Sequence, residues 1–448
     1  MAPAAGRPPV INRWVQLVAG VVAMMAIANL QYAWTLFTTP LTESLNTTLP
    51  MVQWAFAGFI LAETWLVPFE GYMVDKLGPR IMLACGGVLV GAGWIGAGMA
   101  NSVQELIALY VIGGVGAGVV YGGTIGNALK WFPDHRGLCV GMTSGAYGVG
   151  TALTIWPIAR MIESSGYRDT LIFWGIIQGI VVIVAAFFMQ SPPQGWLPEG
   201  WNPKDTANSR VRTTAVDMTP TQMLRTSSFW IIYVMMTMLA FGGLVVTAQL
   251  NPIARFYGVD QVIVFGSMSA LVLAIEVDRI LNGVTRPFWG WVSDRIGREN
   301  TMFIAFSLEA VAVFLLLQFI DRPILFILLS GLCFFAWGEI FSLFPAITGD
   351  LFGRTWATTN YGIVYTAKGT ASILAGPVAA AVGSGRLGWE PVFWAMIICD
   401  VVAAFMALFW LKPVAARTIA QAQIAAAAPA VPVVPPLAQK AREPLGGD

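Results

Sequence analysis

The sequence predicts an all-α membrane protein: twelve transmembrane helices in two pseudo-symmetric six-helix bundles. Three observations carry this. Only 11% of 448 side chains are charged while 57% are hydrophobic, whereas soluble domains carry about a quarter charged residues. Apolar runs of roughly 20 residues, the length that crosses a bilayer, recur along the whole chain. A charged pattern, Gly-x-x-x-Asp-Lys/Arg-x-Gly, also appears twice, 219 residues apart, once in each half.

The same balance excludes a soluble enzyme, a disordered regulator and a nucleic-acid binder, and a net charge of +1 provides no field for polyanions. Cys85, Cys139, Cys333 and Cys399 lie far apart in apolar stretches, which argues against a disulfide framework or a zinc site. The single His135 cannot build a metal centre alone. Neither a metal nor a cofactor is expected.

In chain order, the apolar runs are 14–37, 51–74, 81–100, 105–129, 137–160 and 170–190, then 229–250, 262–292, 302–320, 323–347, 361–382 and 391–411. They are too long for the roughly 10-residue alternation of an outer-membrane barrel. The first lacks a small-residue cleavage pattern and reads as a retained helix. This divides the chain into an N-terminal bundle (1–190), a polar linker (191–228), a C-terminal bundle (229–412) and a Pro- and Ala-rich tail (413–448) read as disordered. Lys76, Arg80, Lys130, Arg136, Arg295, Arg298 and Arg354 collect in the even-numbered connections. By the positive-inside bias, those loops and both termini face the cytoplasm. The expected location is the cell inner membrane, as a multi-pass monomer in contact with lipid.

Gly71-Tyr-Met-Val-Asp75-Lys76-Leu-Gly78-Pro79-Arg80 follows the second run, and Gly290-Trp-Val-Ser-Asp294-Arg295-Ile-Gly297-Arg298 follows the eighth. One physical reading is that the leading glycines allow close helix approach while the charges latch the cytoplasmic face. The competing reading is a charged turn set by positive-inside bias alone. Two copies in register favour an internal duplication, and the loop resembles the signature of the major facilitator superfamily. Gly114, Gly118 and Gly122 offer a small-residue face on the fourth run. The glycine cluster 113–123 is not a nucleotide fingerprint, because no strand precedes it and no Gly-Lys-Ser/Thr follows.

Charges inside spans cost about 2.5–3.5 kcal/mol each on insertion scales unless paired or wet, so Glu63, Glu70, Glu276, Asp278, Arg279, Arg286, Glu309, Glu339, Lys368 and Asp400 carry information. Arg286 and Lys368 are the sharpest. A guanidinium holds a carboxylate by two parallel hydrogen bonds and an ammonium holds another as a point charge, so together they suit a small dicarboxylate. Alternatively each is neutralised by an acid on a neighbouring helix, with Glu309, Glu339 and Asp400 available. Arg279 shares a face with Arg286 at about 100° per residue, and is either neutralised by Asp278 or Glu276 or lines a wet cavity. Glu70, near the signature loop, reads as a latch. Glu63, deeper, Asp278 and Arg279 are candidate proton or charge-balance sites.

The segments around Arg286 and Lys368 resemble those of the oxalate:formate antiporter family, as do Asn29-Leu-Gln31-Tyr32-Ala-Trp34, Val120-Tyr121-Gly122, Trp131-Phe132-Pro133-Asp134 and Phe335-Ala-Trp337-Gly338. The resemblance implies an anion held between an arginine of the eighth helix and a lysine of the eleventh. Aromatic and polar walls would fall on Gln31, Tyr32, Tyr121, Trp337 and Tyr365. Asn282, one turn before Arg286, is close to where proton-coupled monocarboxylate carriers place an acid, and asparagine cannot titrate. Phe341 stands where the family pattern has tyrosine, Tyr365 where it has tryptophan, and Glu339 replaces a small residue.

The implied activity is secondary transport of small carboxylates, oxalate in exchange for formate, by alternating access. The alternative is a proton-coupled carrier of lactate, pyruvate or formate. With one histidine and no compact nucleophile cluster, an enzyme is not expected. An empty site holding two uncompensated cations would favour obligatory, potential-driven exchange; an acid lying against them would let a proton take the counter-substrate's place.

Overall fold

The computed structural model describes residues 12–132, 136–193, 196, 198, 217–353 and 356–427. Eight of its helices are by themselves long and apolar enough to cross a membrane, nine with the bent pair Leu49–Trp65 and Val67–Val74. One of the eight, Leu138–Phe188, is two spans, because Gly166 turns the chain at φ 81°. Two more spans escape the apolarity criterion for chemical reasons. The eighth, Ala270–Ile296, carries the buried charges. The eleventh is divided into Ala357–Ile373, a π-helical turn at Leu374–Val378 containing Pro377, and Ala379–Gly383. Among the described residues the spans total twelve.

Three other spans are also interrupted. The first runs as Arg13–Ile27, Asn29–Tyr32 and Trp34–Ser44, so that Gln31 and Tyr32 sit on a short middle piece. The second bends by 48° next to Pro68, which cannot donate to the carbonyl of Thr64. The tenth breaks at Gly338–Glu339, between Pro323–Trp337 and Ile340–Phe352.

Each half packs through glycine. A Cβ at Gly93 would collide with the backbone of Gly113, and one at Gly87 would lie 3.0 Å from the Gly179 carbonyl oxygen. The halves meet along the second and eleventh spans and along the fifth and eighth. In the latter seam the Gly145 carbonyl lies 3.0 Å from where a Cβ at Gly283 would sit.

Four sequence expectations need correction. Residues 262–269 do not open the eighth helix; Ile263–Phe265 pairs antiparallel with Met268–Ser269 around Gly266 (φ 57°), and Ser269 then caps the helix. The β-branched Ile263-Val264 pair and the positive-φ glycine favour a hairpin over a helix. The start of the tail is ordered: Lys412–Ala427 is helical, continuing from the twelfth span, as its alanines favour once a helix is nucleated. The remainder, 428–448, lies outside the described residues, as do most of 191–228, His135 and Arg354. In the signature loops the leading glycines are not close-approach positions, because a Cβ at Gly71 or Gly290 meets nothing within 4 Å. The glycines that matter are Gly78 and Gly297, which end their helices at φ 85° and 91°. Finally, Glu70 is no latch. It lies buried against Gly118 with neither oxygen hydrogen-bonded among the described residues. In the glycine face of the fourth span, Gly114 and Gly118 pack tightly on the second span while Gly122 is open.

Candidate functional site: a buried cation pair between the halves

Arg286 and Lys368 both point into the interface between the two halves, near its centre. Proline again shapes the backbone: Pro287 cannot donate to the Gly283 carbonyl, and Gly283 lets the eighth span press against the fifth. Arg286 thereby reaches the N-terminal half, donating from Nη1 to the Ser144 carbonyl at 2.6 Å and from Nη2 to Asn282 Oδ1 at 3.0 Å. Both acceptors are neutral, Nε has no partner, and no carboxylate lies within ion-pair distance among the described residues. The guanidinium carbon stands 4.3 Å from the Phe341 ring centroid, a cation–π contact strengthened by burial.

Lys368 is differently placed. Its neighbour Gly369 has no room for a side chain, since a Cβ there would overlap Thr64 Oγ1 and Trp65. The eleventh span therefore closes on the second just where Glu63 precedes the bend. Lys368 Nζ pairs with Glu63 Oε2 at 2.9 Å, with side chains 2% and 0% exposed. It also donates to Gln31 Oε1 at 3.0 Å and to the Tyr365 hydroxyl at 3.2 Å, so all three ammonium protons are used. Tyr147 donates to the other Glu63 oxygen at 3.1 Å. The counter-ion of Lys368 is thus Glu63 of the opposite half. Glu309, Glu339 and Asp400 are buried inside the C-terminal half and form no ion pair among the described residues. Glu309 and Asp400 oxygens lie 3.4 and 3.6 Å from where a Cβ at Gly242 would sit.

Aromatic rings close around the cations. Tyr121 and Tyr365 stack with centroids 5.8 Å apart at 9°. Tyr147 stands edge-on to Tyr32 at 4.9 Å and to Tyr121 at 6.0 Å. Tyr32 donates to Asn282 Oδ1 at 3.0 Å, tying the first span to the eighth. Trp337 sits one layer back: its indole fills the space over Gly243 and donates to the Leu239 carbonyl at 3.1 Å, while its edge meets Phe341. Arg279 is buried between the rings of Tyr32 and Phe334, 4.1 and 4.3 Å from their centroids, and makes no ion pair with Asp278. Glu276 is half-buried nearer the end of the span.

Sequence reasoning missed Tyr147 and Ser144, and it offered Glu63 only as one of four acids, with Asp278, Glu276 and Glu339, that could lie against the cations. Tyr147 had one signal: it stands among Gly141, Gly145, Gly148 and Gly150, a stretch whose small residues leave a large ring only inward-facing partners.

A cavity of about 460 Å³ reaches Arg286 from the signature-loop side, lined also by Ser144, Phe341, Asp294 and Arg298. In that loop Arg298 bridges Asp294 at 2.7 Å and Asp350 at 3.1 Å, and Arg295 covers the Trp291 ring at 3.6 Å. In the first copy, Lys76 lies over the Tyr72 ring at 4.6 Å, Arg80 is exposed, and the Asp75 side chain lies outside the described residues. On the opposite side, polar bonds seal the halves. Gln53 donates to the Ala248 carbonyl at 2.9 Å and Gln249 Oε1 at 3.0 Å, and Asn251 N–H donates to Thr35 Oγ1 at 2.8 Å. A second cavity of about 450 Å³ lies beyond them, past Thr39, Glu43 and Arg255.

A match to the Major Facilitator Superfamily spans residues 18–277 and 279–443. The chain belongs to that superfamily. It is 36% identical over 399 residues to the oxalate:formate antiporter of Oxalobacter formigenes, covering 89% of this chain and 91% of that one. This similarity puts it in the oxalate:formate antiporter family. It is also 24% identical over 363 residues to the uncharacterized MFS-type transporter YhjX of Escherichia coli, covering 81% and 86% of the two chains. Among solved structures, the partially occluded inward-open xylose transporter XylE of E. coli shares the fold with a TM-score of 0.67 at 14% identity, covering 89% of this chain and 99% of that chain. The superfamily carriers are all-α, multi-pass membrane proteins, and the twelve spans found here belong to that architecture.

Proposed function

We propose that this protein is a secondary transporter, not an enzyme, that exchanges small carboxylates, oxalate for formate foremost, by rocking its two halves about the Arg286–Lys368 site. The observation that carries this reading is Arg286: a buried guanidinium on the seam between the halves that faces only neutral oxygens. A buried cation without a counter-ion is costly, and a bidentate carboxylate is the ligand whose geometry matches a guanidinium fork. The oxalate:formate antiporter relative supports the choice of substrate. Tyr121, Tyr365, Tyr32 and Phe341 supply rigid walls close to the cations, which suits a ligand of a few heavy atoms.

Residues 1–190 and 229–412 are the rocking halves, joined by the cytoplasmic linker 191–228. Both termini face the cytoplasm of a cell whose inner membrane holds the protein as a monomer in direct contact with lipid. The experiment is counterflow in proteoliposomes preloaded with oxalate, offering labelled oxalate, formate, malonate, acetate, lactate or pyruvate outside. Oxalate and formate should exchange fastest. Preference for lactate or pyruvate with no oxalate exchange would replace this reading with the proton-coupled monocarboxylate carrier.

A further inference from the structure

We infer that Glu63 makes the exchange proton-linked and electroneutral: oxalate crosses with one proton held on Glu63, and formate crosses with Glu63 ionised. The inference rests on the carboxylate-exchange reading above and deepens it. Lys368 is not a vacant anion seat. Its ammonium already holds a carboxylate from the other half of the molecule at 2.9 Å. A substrate carboxylate that takes Lys368 must share it with, or displace, Glu63.

Charge bookkeeping then separates the two substrates. Arg286, Lys368 and ionised Glu63 sum to one positive charge. Formate, a monoanion, brings this to zero. Oxalate, a dianion, brings it to minus one unless a proton joins Glu63. The remaining charged groups do not alter this difference. Arg279, held between the Tyr32 and Phe334 rings, and Asp278 make no ion pair with Glu63 or Lys368, and Glu70, on Glu63's own span, touches neither cation. The other groups around Glu63 are tyrosines and an amide: Gln31 and Tyr32 from the first span, Tyr121 from the fourth, Tyr147 from the fifth and Tyr365 from the eleventh. A single seam that must close over both substrates, with an uncompensated buried charge penalised each time, favours the same site charge in both complexes. One proton provides it.

The protonated form also fits the local hydrogen bonds. An ionised Glu63 only accepts, from Lys368 and Tyr147. Once protonated it becomes a donor, able to hold the second carboxylate of the bound oxalate while that oxalate accepts the hydrogen bond that Lys368 had given to Glu63. The proton comes from water on the side where oxalate enters and returns to water when oxalate leaves. One full turnover carries oxalate(2−) and one H⁺ one way and formate(1−) the other, moving no net charge and one proton.

The test is the equilibrium accumulation of labelled oxalate in formate-loaded proteoliposomes, under an imposed potassium diffusion potential or an imposed pH gradient, with a lumenal pH dye counting protons. A one-charge exchange shifts the accumulation ratio about 50-fold per 100 mV; a one-proton exchange shifts it about tenfold per pH unit. Wild type should follow the pH gradient, ignore the potential, and bring in one proton per oxalate. Glu63→Gln, which puts an amide of the same size in place of the carboxylate, should reverse this: potential-driven and indifferent to pH. If Glu63→Gln does not transport, the wild-type result decides. Wild-type accumulation that follows the potential overturns the inference while leaving carboxylate exchange standing, whereas no oxalate exchange at all overturns both.

Discussion

The Glu63–Lys368 pair bridges the two halves with side chains 0% and 2% exposed, so removing one partner strands a buried charge. Breaking such a pair typically costs about 3–5 kcal/mol, and the local hydrogen bonds place each variant within that range. In Glu63→Gln, Lys368 keeps Gln31 and Tyr365 as acceptors, so a destabilisation of about 3 kcal/mol is expected. In Lys368→Gln, the carboxylate keeps only Tyr147, and the cost should be nearer 5 kcal/mol. The double variant Glu63→Gln/Lys368→Gln has no stranded charge, and an amide pair can hydrogen-bond across the same gap. It should therefore lie within about 1–2 kcal/mol of wild type, giving a coupling of about 6–7 kcal/mol, well above the roughly 3 kcal/mol usual for contacting residues. Reversible unfolding of the purified protein in bilayer-like discs would measure all four corners of the cycle. Additive single costs, with the double variant the least stable, would refute the claim that these side chains neutralise each other.

Other expectations follow from the same geometry. Arg286→Lys retains the charge but not the fork that bonds Ser144 and Asn282 together; losing one charge-assisted bond of about 1.5–3 kcal/mol should weaken oxalate binding by at least tenfold, measured by competition with labelled oxalate. The stacked Tyr121 and Tyr365 rings and Phe341 limit ligand size, so malonate should bind about 1–3 kcal/mol more weakly than oxalate and succinate scarcely at all; equal inhibition constants for the three would exclude a tight aromatic wall. Gly71→Ala and Gly290→Ala, with nothing within 4 Å of the new methyl, should leave the melting temperature unchanged or raised. Gly78→Ala and Gly297→Ala, at φ 85° and 91°, should lower stability by about 1–2 kcal/mol. Gly369→Val, which overlaps Thr64 and Trp65, should abolish exchange by forcing the second and eleventh spans apart, while Gly126→Ala, in open space, should transport normally.

Much of the architecture was legible because the bilayer imposes a length and an apolarity on every span, and because the signature loop repeats in register. The errors occurred where local chemistry competes with apolarity. Ile263-Val264 reads as membrane helix by hydropathy yet pairs as a hairpin, and the alanines after Lys412 read as low complexity yet extend a helix already formed. Arg286 and Lys368 stood out in the sequence because a lone cation in a span is expensive. Their partners did not. Glu63 is 305 residues from Lys368, and nothing in either segment states that Gly369 lets those two spans touch. Glu309, Glu339 and Asp400 were equally plausible counter-ions by composition; only packing separates them from the cations. Trp337 has the right residue type for a ligand wall, but the glycine at 243 draws its ring into the C-terminal half.

The central claim, that a small carboxylate binds at Arg286 with Lys368, is tested most directly by equilibrium binding of radiolabelled oxalate to the purified protein. Wild type should bind one oxalate saturably and be displaced by formate. Arg286→Gln should lose that binding while keeping its helical content and elution volume. Unchanged affinity in Arg286→Gln would contradict the account and return Arg286 to a structural role on the seam.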